Sequence, residues 1–458
     1  MPDRPAEHWW PEGLHDQPAL TDCFRSANYR ELESAVGALQ PIVDAVNTRG
    51  RAVAVLMTPS IESATALLAV LARHASGLLL ADRMSPHMWR DALRWTDAPL
   101  LLAPAGVEHF VRSELADSWV VQERVEGIAV LRCTGRTPTP TATIPDGSLL
   151  QFTSGSTGAS RLAVRARDAV ERESRVLCDR IGMSADDLVL CASSPAHSYG
   201  LLGGLLAPLS VGAHTQLLRS LTDVPASTTC HPSIVFGLWP AYQQLLARAY
   251  TGVFDHTRLL FTAGSPPPHG LPELVQSWCG GILRQDYGTT EVGTIILDIP
   301  DTEGSGNTIP VDVSVAPCAL HGEDEILVHV PEALWYLDDD GLTTALDEHG
   351  WFHTRDAGAF DAEGKLSLDR RLRAPLSIGA GVVAPEVLEG IVGEIEGVRE
   401  CVVYLGPDGP TLLVAACGIG RQPIIDALHG NDLAIPDRIQ FVEALPRSPA
   451  GKIIPLYR

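Results

Sequence analysis

From residue 29 the hydrophobic positions alternate between two periods. In "NYRELESAVGALQPIVDAV" (28–46) Leu32, Val36, Leu39, Val43 and Val46 recur at helical spacing, while "AVAVLMT" (52–58) is a continuous apolar run, as in a strand buried on both faces. "IESATALLAVLARHA" (61–75) and "PHMWRDALRWT" (86–96) again read as helices, and "GLLLAD" (77–82) and "PLLLAP" (99–104) as strands. Alternation of this kind predicts a mainly parallel sheet.

A Thr/Pro-rich link, "TGRTPTPTATIPDG" (134–147), separates this section from further elements of the same kind. "DLVLCAS" (187–193), "SIVFGLWP" (233–240), "RLLFTAG" (258–264) and "GILRQDYG" (281–288) each read as a strand ending in small or polar residues. Such carboxyl-end loops are where parallel sheets bind ligands. After about residue 300 short β segments take over, "EILVHV" and "GKLSLD", and the last part of the chain has its own helix and strand signals. The expected class is therefore α/β. A large N-terminal domain, 1–371, would combine mainly parallel α/β sheets with a small β subdomain, and a small α+β C-terminal domain, 372–458, would follow a hinge.

The length of 458 residues exceeds what one core usually serves, in keeping with two folding units. A net charge of −22 argues against nucleic acid or an anionic membrane as partner of the whole surface, so any anionic ligand needs a local site. The nine cysteines show no CxxC pair and no zinc spacing, and the N-terminus lacks a leader-like pattern, so a reduced, cytoplasmic protein without a membrane span is expected. Lysine occurs only at Lys365 and Lys452, which draws attention to both.

Four segments carry chemistry. "QFTSGSTGASR" (151–161) runs from an apolar strand into a loop where Gly155 and Gly158 let successive N–H groups point together and Ser154, Ser156 and Thr157 add hydroxyls, a cradle for phosphate. It is neither a Walker A loop nor GxGxxG. In "DYGTTEVG" (286–293) Glu291 is able to hold magnesium, Thr290 to donate to a phosphate, and Tyr287 to stack on a purine. In "GWFHTRDAGAFDAEGKLSLDRR" (350–371) Asp356 and Arg371 suit ribose hydroxyls. In the terminal "LPRSPAGKIIPLYR" Lys452 offers a mobile ammonium to a carboxylate and a phosphate as charge develops. Taken singly, these segments also fit a linker, a hairpin turn, a surface hairpin and a solvated tail.

Together, in this order and at these separations, "FTSGSTG", "YGTTE", "GWFHTRD" with "RR", and "LPRSPAGK" resemble the core motifs of the acyl-adenylating superfamily, which includes acyl- and aryl-CoA ligases, peptide-synthetase adenylation domains and luciferases. The resemblance implies that ATP and a small carboxylic acid give an acyl-adenylate, and that a thiol, from CoA or the phosphopantetheine of an acyl carrier protein, then takes the acyl group. It assigns Ser154, Gly155, Ser156, Thr157, Gly158 and Arg161 to the triphosphate. Gly264, Tyr287 and Gly288 fall to the adenine side, Thr290 to the α-phosphate, Glu291 to Mg2+, and Asp356 and Arg371 to the ribose. Lys452 bridges carboxylate and α-phosphate, and Arg373 stands at the hinge position. His197, Ser198, Tyr199, Phe236, Gly237, Trp239 and Ala263 fall near the acid, with His197 beside the reacting centre.

The acid pocket holds no Asp or Glu for an ammonium, so an aryl or modest-sized acyl acid is expected. Three residues depart from the family pattern: Arg161 stands for a usual lysine, Arg355 for a glycine, and Arg373 for an Asp or Lys. An adenylate-forming enzyme with a non-thiol acceptor, or a degenerate member that binds nucleotide without turnover, are the alternatives. A monomer or homodimer is expected.

Overall fold

The computed structural model describes residues 9–446 apart from 47–48, 83, 108–110, 112–114, 116–117, 135–141, 154–160, 225–230, 248–251, 266, 269, 298–311, 319–322, 363, 372, 374–375, 379–380, 384, 407–408 and 432. At 222, 312–318, 323, 369–371, 381–382 and 386 only the backbone is described. Two compact units emerge: 1–313 with 328–352 and 363–365, and 314–327 with 353–362 and 366–458. The segments 314–327 and 353–362, expected with the N-terminal domain, thus group with the C-terminal chain, since they build one sheet of strands Asp312–Cys318, Glu323–His329, Trp351–Phe360 and Leu366–Arg371.

In the first unit, the described residues form two large sheets. One is parallel at its centre, with Leu188–Cys191, Ile234–Phe236, Leu259–Ala263 and Ile282–Thr289 side by side, and antiparallel at its edge, where Ile282–Thr289 turns back into Gly293–Leu297. The other has a parallel core of Ala52–Met57, Ser76–Ala81, Leu100–Pro104 and Ser148–Phe152. Leu162–Ala166 and Leu334–Asp338 then extend it antiparallel. The core strands are buried throughout, as their unbroken apolar runs require, and helix Tyr29–Asp44 lays Leu32, Val36, Leu39 and Val43 on the core. Asn28 caps that helix in a reciprocal box with Glu31.

The glycine-rich apolar stretch after His197 is helical. Ser198–Leu201 passes through a π-helical turn, Leu202–Leu206, into Ala207–Val211. Its glycines permit close packing, since a Cβ on Gly203 would lie 2.2 Å from the Phe236 ring and one on Gly204 2.1 Å from Cys191 Sγ. Among the described residues no helix is long and apolar enough to cross a membrane.

The second unit also contains strands Val398–Gly406, Gly409–Ala416 and Arg438–Val442 beneath helices Pro385–Gly393 and Arg421–Gly430. Leu388, Val392, Val403, Leu412, Val414, Ile424 and Leu428 form its core.

Candidate active site

The glycine-rich loop joins two neighbouring antiparallel strands. Phe152 pairs with Leu162, and the N–H of Thr153 donates to the carbonyl of Arg161 at 3.1 Å, so both ends of the loop are held. Ser154, Gly155, Ser156, Thr157, Gly158 and Lys452 lie outside the described residues, as does the side chain of Arg371.

Three of the predicted segments meet at the carboxyl ends of the strands. Gln151, buried in the strand before the loop, donates through Nε2 to the carbonyl of Ala196 at 2.9 Å and accepts at Oε1 from Ser198 Oγ at 3.1 Å. Ser198 Oγ also lies 3.4 Å from the carbonyl of Thr290. One amide and one hydroxyl thereby connect the loop-bearing strand, the His197–Ser198 turn and the turn holding Thr290 and Glu291. His197 itself is exposed beside them.

"DYGTTEVG" is a β-hairpin with a register shift between Tyr287 and Gly288. Its glycines are required: a Cβ on Gly288 would meet the Gly293 carbonyl oxygen at 2.2 Å, and one on Gly293, whose φ is +77°, would meet the Glu173 carboxylate at 1.9 Å. Glu173 receives the Thr294 N–H at 2.6 Å and pairs with Arg165 at 2.6 Å. The Thr294 hydroxyl reaches Asp286 Oδ2 at 3.3 Å. Burial, reinforced by the Glu173 charge, raises the Asp286 pKa to about 8. A cavity of about 40 Å³ beside Glu291, lined also by Arg165, Arg172 and Glu332, has room for a few waters.

Glu291 accepts from the phenol of Tyr336 at 2.9 Å, and the guanidinium of Arg161 lies 3.4 Å from the Tyr336 ring centroid. No group of three or more His, Cys, Asp or Glu side chains suited to a metal occurs among the described residues. A single carboxylate fits magnesium, which usually retains waters and takes substrate phosphates beside one or two carboxylates.

Near the expected acid pocket, Tyr199 donates to the Gly237 carbonyl at 3.0 Å and meets Phe236 edge-on, with centroids 5.6 Å apart. Phe236 is fully buried and stacks on Phe261, so its ring belongs to the core. Trp239 is fixed twice, by its N–H to Thr262 Oγ1 and by its indole to Ser265 Oγ, both at 2.9 Å. Ala263 ends its strand, and Gly264 turns the chain at φ +86°.

In the second unit Asp356 is buried and stands opposite Arg371 across the strand pair Trp351–Phe360 and Leu366–Arg371. Arg355 adopts φ +59°, a left-handed conformation that glycine takes without the steric cost a side chain brings. Its N–H donates to Glu325 Oε1 at 2.7 Å, and Glu325 Oε2 lies 3.0 Å from His353 Nδ1. Arg373 is held within the same unit, by Glu389 Oε2 at 2.6 Å and the Val403 carbonyl at 3.2 Å.

Gln151, Tyr336 and Glu173 are not among the residues that the sequence motifs point to. A glutamine inside the otherwise apolar "SLLQF" was a usable signal. Tyr336 lies 45 residues from Glu291, and only pairing of its strand with Leu162–Ala166 brings it near.

A family model described as AMP-binding enzyme matches residues 7–322. The chain is 30% identical to the 3-((3aS,4S,7aS)-7a-methyl-1,5-dioxo-octahydro-1H-inden-4-yl)propanoyl:CoA ligase of Mycobacterium tuberculosis strain ATCC 25618 / H37Rv, over 67% of this chain and 65% of that protein. It thus spans slightly less than two thirds of that relative's length. It is also 26% identical to the 3-hydroxybenzoate–CoA ligase of Aromatoleum sp. strain CIB, over 96% and 93% of the two chains. The fold is shared with ATP-bound MatB from Rhodopseudomonas palustris, at a TM-score of 0.73 and 18% identity, covering 98% of this chain and 97% of that one. By the family match, supported by these relatives, the chain belongs to the AMP-binding enzymes.

Proposed function

We propose that the protein is an AMP-forming ligase that activates an aryl or modest-sized acyl carboxylic acid with ATP and passes the acyl group to a thiol. The observation that carries this reading is the convergence of Gln151, Ser198, Thr290 and Glu291 at the carboxyl ends of the sheet strands, beside a glycine-rich loop held at both ends. Two relatives named as CoA ligases favour CoA as the acceptor, with a carrier-protein phosphopantetheine as the other thiol to be tried.

Activation joins two anions, so the protein has to supply fixed donors and positive charge at the α-phosphorus. Ser154, Gly155, Ser156, Thr157 and Gly158 hold the β- and γ-phosphates, with Arg161 at the loop's end. Thr290 donates to the α-phosphate. Tyr287, Gly288 and Gly264 border the adenine, and Asp356 and Arg371 hold the ribose hydroxyls. Glu291 would hold magnesium, which when bound neutralises phosphate charge. As the acid oxygen forms its bond to the α-phosphorus, the bond to the pyrophosphate oxygen breaks, and Lys452 faces the charge gathering between carboxylate and phosphate. His197, Ser198, Tyr199, Gly237, Trp239 and Ala263 surround the acid, with Phe236 backing them from the core. Residues 372–458 form the part that moves between the two half-reactions.

ATP–pyrophosphate exchange over a panel of aryl, short-chain and medium-chain acids tests the reading. Exchange with one class is expected, and none with any acid overturns it. Mass spectrometry of products formed with CoA, a phosphopantetheinylated carrier or neither then identifies the acceptor.

A further inference from the structure

We infer that Tyr336 is a positioning residue for the metal-binding carboxylate, and that Arg161 acts on that carboxylate through the Tyr336 ring. The inference rests on the reading of Glu291 as the magnesium ligand. Glu291 sits in the hairpin turn between Ile282–Thr289 and Gly293–Leu297. A carboxylate on a turn has several rotamers, and only some present an oxygen to a phosphate-bound metal. Tyr336 removes that freedom. It lies within a strand bonded on both sides, opposite Ala163 and Thr343, and is 9% exposed, so its phenol is a fixed point.

The phenol donates to Oε1 of Glu291 at 2.9 Å, which orients the carboxylate and leaves Oε2 for a cation. A phenol O–H donating to a ligand carboxylate is the kind of outer partner whose loss weakens metal sites. Arg161 adds a second effect. Its guanidinium, 3.4 Å from the ring centroid, draws electron density from the phenol and strengthens it as a donor. The residue that ends the phosphate loop is therefore linked to the metal carboxylate by one aromatic ring, although the loop and the hairpin lie far apart in sequence.

The test compares wild type with Tyr336→Phe in the full chain, by calorimetric titration of ATP in EDTA and in Mg2+. Mg2+ is expected to tighten ATP binding to wild type, and Y336F to reduce that enhancement about tenfold while leaving metal-free ATP affinity unchanged. Equal loss with and without Mg2+ would assign the ring a purely structural role and overturn the inference. An undiminished or larger enhancement in Y336F also overturns it, the larger because the phenol would then compete with the metal. Should Y336F not fold, Tyr336→His, which keeps a ring and a donor at a different reach, is expected to show a smaller Mg2+ enhancement than wild type, and an enhancement equal to or above that of wild type overturns the inference. A wild type whose ATP affinity ignores Mg2+ removes the metal role of Glu291 and the inference with it. Failure of acid-dependent pyrophosphate exchange, by contrast, refutes the ligase reading and leaves the binding comparison intact.

Discussion

Arg165 and Glu173 form an ion pair of 2.6 Å with side chains only 3% and 7% exposed. Glu173 also receives the Thr294 N–H and occupies the space that a side chain on residue 293 would need. The pair thus anchors the far strand of the hairpin that carries Thr290 and Glu291. Breaking a buried pair strands the other charge, so Glu173→Gln is expected to destabilise the first unit by roughly 3 kcal/mol. Urea denaturation followed by tryptophan fluorescence measures this, and a loss below about 1 kcal/mol would mean that Arg165 finds another partner.

Asp286 makes stability depend on pH. Its carboxyl titrates near pH 8 in the folded chain, above its unfolded value of 3.8, because burial and the Glu173 charge disfavour ionisation. The folded state then holds the proton across that window while the unfolded state has released it, so stability falls as pH rises from about 4 to 8, by at most about 1.4 kcal/mol per unit. Asp286→Asn is expected to flatten this slope and raise the melting temperature most at pH 8. Parallel melting curves for both proteins from pH 5 to 9 would contradict the assignment.

Arg355 pays for a left-handed backbone at φ +59° with an exposed side chain. Arg355→Gly keeps the N–H bond to Glu325 and relieves the conformation, for an expected gain of about 1 kcal/mol. A loss on denaturation would show that the guanidinium contributes more than the backbone costs.

Arg373 ties helix Pro385–Gly393 to strand Val398–Gly406, because Glu389 accepts from the guanidinium and also from the Val403 N–H at 2.6 Å. Arg373→Ala is expected to cost on the order of 1 kcal/mol locally and to speed amide exchange at Val403 several-fold. Unchanged protection there would show that Glu389 holds the strand without Arg373.

Lys452→Ala is expected to abolish pyrophosphate exchange and to spare thioester formation from supplied acyl-adenylate. Equal loss in both assays would refute a role confined to the first half-reaction.

The central strands of the two large sheets were legible because buried parallel strands need unbroken apolar runs, and Ala52–Met57 and Ser76–Ala81 are such runs. The DYGTTEVG hairpin was legible as a turn for a different reason, since its glycines answer to local geometry. Tyr336 and Glu173 were not legible. Each gains its place through strand or hairpin packing across long separations, and nothing near either residue in the sequence marks it. The Arg355 departure was visible as an oddity, and its meaning required the sign of one dihedral angle. The grouping of 314–327 and 353–362 with the C-terminal chain was likewise hidden, because it depends on which strands pair.

The π-helical turn Leu202–Leu206 carries one residue more than an α turn would. The wider turn absorbs that residue, so Ser198–Leu201 before it and Ala207–Val211 beyond it keep about the phase they would have in a regular helix one residue shorter. Ser198, which bonds both Gln151 and Thr290, lies just before the turn, and Gly203 and Gly204, which must face Phe236 and Cys191, lie within it. The one helix thus begins at a hydroxyl that bonds two other segments and, within its wide turn, sets two successive glycines against the core.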